Sequence, residues 1–135
     1  MQERYLFRGK TIRGDWKHGL LANKDDKWYI SNKAGRPFAF EIRPESICQS
    51  TGLKDKNGNF IWENDIIKHY NSSAHPERHS TSVVLWDTDN LRFCKKNIPF
   101  MDGDRIYNMA SGCVYEVIGN TFDNPELLEG SHDRK

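Results

Sequence analysis

A chain of 135 residues is long enough for one ordinary domain with its own core, needing neither disulfides nor metals to hold it. Twenty basic and nineteen acidic residues leave a formal charge of +1, which argues against a surface built throughout for phosphates but leaves room for a local basic patch. Cys48, Cys94 and Cys113 form no CxxC and no even-numbered framework, the N-terminus lacks a signal-like apolar core, and no apolar run approaches the roughly 18 residues of a membrane span; the expected setting is soluble and cytoplasmic.

Tyr5 and Phe7 alternate with Leu6 and Arg8 in a first strand that stops at Gly9, and Thr11–Asp15 connects it to a second apolar run, Trp16–Ala22. Gly19 inside that run suggests a bulge or a close backbone approach. Lys27–Ser31 and Phe38–Arg43 are rich in aromatic and β-branched residues and read as strands, with Asn32–Pro37 as the turn between them. Pro44–Ile47 reads as a short helical turn, because proline suits the first helical position. Asp65–Tyr70, Ser80–Trp86, Leu91–Cys94 and Val114–Gly119 supply further strands, while Asn71–Ser80 reads as a polar loop. Asn124–Glu129 reads as a helical turn with Asn124 as N-cap and Pro125 following, and residues 130–135 as a tail that frays. Short strands separated by turns indicate an all-β fold of small antiparallel curled sheets, with a short C-terminal helical turn.

The stretch TGLKDKNGNFIWENDIIK, residues 51–68, pairs Glu63 and Asp65 beside aromatics, as acid–base chemistry would want. A turn wants nearly the same residues. Asn57-Gly58 suits the paired positive φ of a type I′ hairpin, Asn64 tolerates a left-handed backbone, and Asp65 can accept backbone N–H groups. No His, Cys, Ser or phosphate loop nearby completes a catalytic set. Asn57, Gly58, Glu63, Asn64 and Asp65 therefore read as structural turn residues, with Phe60 or Ile61 and Trp62 as core anchors.

That stretch resembles the YopX family of phage and prophage proteins. Phe7–Lys10 followed by Asp15, Trp16 and Gly19 is similar to the family's opening, and Tyr115–Asn120 with Asn124–Leu128 to its closing. Asn64 stands where the family usually has glycine, a change that a left-handed position accepts. The resemblance implies an all-β protein with an SH3-like barrel component, encoded by a phage or prophage, and brings no catalytic or cofactor residues to carry over. Its span is one YopX-like domain, residues 1–129, divisible into an N-terminal lobe 1–50 and an SH3-like lobe 51–129.

Weaker signals remain. His75 and His79 have the spacing by which a helix offers two metal ligands, with His69 within reach, but Pro76 and the polar surroundings favour a loop. Asp87–Asn90 and Met101–Arg105 begin a calcium-loop pattern without completing it and read as turns, and Cys48 and Cys113 read as buried thiols. Of the four tryptophans most should be core; rings exposed beside basic residues would suit nucleobases or peptides, which singles out Arg4, Arg8, Lys10, Trp16, Lys27 and Trp28. The expected function is a non-enzymatic interaction protein that binds protein partners through its β surface and associates with its own copies through exposed strand edges, with no cofactor, metal or membrane. Nucleic-acid binding is the alternative and an enzyme the last choice.

Overall fold

The computed structural model describes residues 6–31, 39–70, 77, 79–100, 106–109 and 114–129. Arg4, Tyr5, Asn32–Phe38, His75, Met101–Arg105, Cys113 and residues 130–135 lie outside them. The chain divides into two compact units, Met1–Gly52 and Leu53–Lys135.

Eleven strands are described: β1 (Phe7–Lys10), β2 (Trp16–Lys24), β3 (Lys27–Ser31), β4 (Phe40–Ile42), β5 (Cys48–Lys54), β6 (Phe60–Trp62), β7 (Asp65–Tyr70), β8 (His79–Asp87), β9 (Arg92–Asn97), β10 (Ile106–Asn108) and β11 (Val114–Asn120). The helical segments among the described residues are 3-10 turns, Pro44–Ser46 and Pro125–Glu129. The all-β expectation holds. The strand order of neither sheet returns on itself, so the described sheets are open and no closed barrel is present among them.

In the N-terminal unit the order is β4-β3-β2-β1-β5. β2 pairs with β1 through Gly19 and with β3 from Leu20 onward. The buried Gly19 thus marks a handover between partners: the β1–β2 register ends on it and shows no bulge, the first of the two features the sequence suggests there. The β2–β3 hairpin closes on Asp25 and Asp26, with φ of 54° and 65°, the paired left-handed geometry of a type I′ turn. Curling brings β4 back toward β1: Thr11 bridges Ile42, and Arg43 N–H donates to Lys10 C=O at 2.8 Å. Gly9 permits this, since a Cβ there would lie 2.6 Å from Ile42 Cδ1. β1 continues past Gly9, where the sequence predicts its end, because Lys10 still pairs with Trp16 of β2.

In the C-terminal unit β6 follows β5 in a hairpin around Asp55–Asn59, and a five-stranded antiparallel sheet runs β10-β9-β8-β7-β11. Its neighbouring Ile66 and Ile67 enter different clusters, because successive side chains leave a strand on opposite faces. Ile67 packs with Ile61, Val84 and Tyr115, and Ile66 with Val83 and Ile98, where Leu127 and Leu128 of the C-terminal 3-10 turn also pack. Full burial of each isoleucine is worth about 2 kcal/mol. Asn124 stands at the N-cap position of that turn, its C=O accepting from Leu127 N–H at 3.0 Å, but its side chain turns the other way: Oδ1 accepts from Asn120 N–H at 3.2 Å, beneath Gly119, where a Cβ would lie 2.5 Å from it.

Candidate functional site

The β1–β2 register sets Lys10 opposite Trp16 and Arg8 opposite His18, so all four leave one face of the hairpin. The Arg8 guanidinium carbon sits 4.5 Å, and Lys10 Nζ 5.4 Å, from the centroid of the Trp16 ring. Three of the six residues singled out for partner contact therefore meet, and cations already lie against the indole. Lys27 and Trp28 are not part of that cluster. Lys27 pairs with Lys24 at the far end of the hairpin, and Trp28 lies between Asn23 and Ile42 in the ladder. Of the four tryptophans Trp62 is buried, Trp16 and Trp28 are half-buried, and Trp86 is 43% exposed, so the expectation that most are core is not met.

Beside the cluster the curl forms an open groove of about 440 Å³, lined by Thr11, Ile12, Arg13, Asp15, Lys17, Phe40 and Glu41. Its rim is held from within. Thr11 N–H donates to Asp15 C=O and Gly14 N–H to Thr11 C=O, both at 2.9 Å, with Gly14 at φ 93° where a side chain would be strained. The Arg43 guanidinium donates to Ile12 C=O at 2.6 Å. That fixes the backbone under Ile12, whose side chain is 70% exposed. Lys17 Nζ lies 4.3 Å from the Phe40 ring centroid, so the groove offers two cations, two carboxylates, an aromatic face and an exposed aliphatic. Sequence reasoning missed it because Lys17 and Phe40 meet only through the curl.

In the stretch 51–68, Gly58 N–H donates to Asp55 C=O at 3.0 Å and Asp55 N–H to Asn59 C=O at 2.8 Å. Gly58 is left-handed at φ 84°, and Asn57 is not among the residues with positive φ. This is a type I turn with a glycine bulge in place of the expected type I′ turn. Asp55, which the sequence reading passed over, is buried: Oδ1 accepts from Asn57 and Asn59 N–H, both at 2.9 Å, and Oδ2 from Val117 N–H at 3.0 Å. An Asp opening a turn before Asn-Gly was the available signal. Asn64 has φ 72°, and Asp65 Oδ2 accepts from Trp62 N–H at 2.8 Å. Glu63 occupies the same turn, half-buried.

His79 opens β8 where a loop is expected, its ring 5.6 Å from that of Tyr70, while His69 stands in β7 at 5.1 Å from Tyr115. Burial, and then the charge of Lys95, hold the His69 pKa below its ordinary 6.5. Among the described residues no three His, Cys, Asp or Glu side chains gather as a metal site would require. Asp87 accepts from Asn90 Nδ2 at 2.9 Å and Arg92 Nε at 3.1 Å; those bonds, Asn90 first, lower its pKa and close the β8–β9 hairpin as a turn. Cys48 and Cys94 are buried free thiols, and burial raises the pKa of Cys94. Among the described residues no helix is long and apolar enough to cross a membrane.

The two units differ in charge. Met1–Gly52 holds ten Lys or Arg against six Asp or Glu, a formal +4, and Leu53–Lys135 ten against thirteen, a formal −3.

Comparison with known proteins bears on residues 10–129, which match the sequence model of the family described as YopX protein. Among solved structures the chain is similar to protein EF1440 from Enterococcus faecalis, at 26% identity and a TM-score of 0.51, over 91% of this chain and 96% of that one. Among curated proteins none matches.

Proposed function

We propose that this chain, which belongs to the YopX family, is a phage- or prophage-encoded, cytoplasmic and non-enzymatic protein that binds other proteins through the groove of its N-terminal unit. The observation that carries the reading is the composition of the groove. Phosphates entering it would meet Asp15 and Glu41 at close range, whereas an extended peptide can set opposite charges against Arg13, Lys17, Asp15 and Glu41 and an apolar side chain against Ile12 and Phe40. The SH3-like component implied by the family resemblance is, on this proposal, the lobe 51–129, and the groove belongs to the lobe that precedes it. Buried free thiols at Cys48 and Cys94 are in keeping with a reducing compartment.

A second reading, nucleic-acid binding, is favoured by the +4 charge of that unit and the Arg8–Lys10–Trp16 cluster. Against it, the adjoining groove carries the carboxylates of Asp15 and Glu41, which repel a phosphate backbone. Selection from a random peptide library followed by fluorescence anisotropy separates the two. Peptides bound by the parent should lose about tenfold or more in affinity on Ile12→Asp and Lys17→Glu. Equal binding by the variants would remove the groove, and tight, steeply salt-dependent binding of DNA or RNA without any peptide would replace the first reading with the second.

A further inference from the structure

Strand β11 is the outer strand of its sheet, and at seven residues it is long for an edge. Its outward side is not open. Lys56 N–H donates to Tyr115 C=O at 2.8 Å, and Val117 N–H donates to Asp55 Oδ2 at 3.0 Å. Both partners come from one turn, Asp55–Gly58, which pairs with no strand itself and is held to shape by the other carboxylate oxygen of Asp55. The turn thus presents a donor and an acceptor where a neighbouring strand would present its own.

Which strand that would be follows from the two groups engaged. In an antiparallel pair, residues facing each other at a hydrogen-bonded position exchange both N–H···O=C bonds. Two copies of β11 laid antiparallel, with Tyr115 of one opposite Val117 of the other, would join each Val117 N–H to the opposite Tyr115 C=O, on both sides of a two-fold axis through Glu116. Lys56 N–H stands in for the second copy's Val117 N–H, and the Asp55 carboxylate for the second copy's Tyr115 C=O. We infer that the Asp55–Lys56 turn is an edge guard, which fills the hydrogen-bonding positions through which β11 would otherwise pair with β11 of a second copy of this chain. Glu116 adds a second barrier, since the two-fold places it against its own copy and like charges directly opposite repel. In the single chain Glu116 accepts from the Tyr70 hydroxyl at 2.7 Å and lies 3.8 Å from Lys56 Nζ.

Lys56→Pro tests the guard with little damage to the turn, because proline is favoured at the second position of a type I turn and deletes the one N–H that covers Tyr115 C=O. Lys56→Ala removes the same side chain and keeps the N–H. Sedimentation velocity across a concentration series should show Lys56→Pro associating about tenfold more tightly than Lys56→Ala. Adding Glu116→Gln should tighten it again, and adding Val117→Pro should abolish it, since that amide faces away from β7. Should Lys56→Pro fail to give the parent circular dichroism, Asp55→Asn carries the same comparison. The inference is overturned by a folded guard variant that associates no more than Lys56→Ala, with or without Glu116→Gln, or by association that survives Val117→Pro.

Discussion

The N-terminal unit buries few apolar side chains among the described residues, Ile30, Ile42 and Cys48; the C-terminal unit buries more, from Ile61 through Tyr115, with Ile66 and Ile67 on opposite faces of its sheet. The contrast extends to how strands are held. In the first unit β4 is tied to β1 by one bridge and one backbone bond over Gly9, whereas in the second a buried carboxylate, Asp55, gathers three backbone donors at once. The second unit commits its central isoleucines and valines to packing while exposing Trp86, Leu91, Phe100 and Tyr107, and the first builds a charged groove over a thin core. On the proposed reading recognition falls to the first unit and stability to the second, and substitutions in each should show it.

The largest effect belongs to Asp55→Ala, which leaves three backbone N–H groups without their acceptor and should cost about 3 kcal/mol in urea denaturation. Hydrogen exchange read by segment should show the loss in β7 and β11 rather than in β2 and β3; an even loss across both units would dissolve the contrast. Next comes Gly9→Ala. The added methyl must displace Ile42, an overpacking that costs about 1–2 kcal/mol and should raise exchange in β4 while β7 stays protected. The smallest effect is acid sensitivity at His69. Its pKa is lowered in the folded state, so below its ordinary 6.5 the unfolded chain binds a proton that the folded one resists, and stability falls as pH drops through that window. His69→Phe should flatten the slope of melting temperature between about pH 7 and pH 5; an unchanged slope would assign it elsewhere.

Much of the fold was legible where aromatic and β-branched residues recur. Lys27–Ser31 and Asp65–Tyr70 are strands over the spans the sequence predicts, and β8 and β11 differ from expectation by one residue at their ends. β5 was hidden by composition: CQSTGLK has neither aromatic nor β-branched alternation, and its inward positions, Cys48 and Ser50, are small. β6 and β10, three residues each, are too short for any period to show. The Arg8, Lys10 and Trp16 cluster could be suspected from composition because hairpin neighbours in space are near neighbours in sequence. The groove could not, since Phe40 reaches Lys17 only after β2, β3 and β4 have formed and curled.

The opposite charges of the two units have a practical consequence. With a sequence pI near 7.7 the whole chain is nearly neutral at ordinary working pH, and a purification planned on that figure would expect it to pass through ion-exchange columns. A chain with +4 on one stretch and −3 on the next presents a complete ligand to resins of either sign. It should be retained on both cation and anion exchangers at low salt and leave each at modest ionic strength, and a change of elution on one resin alone would report which unit a bound partner has covered.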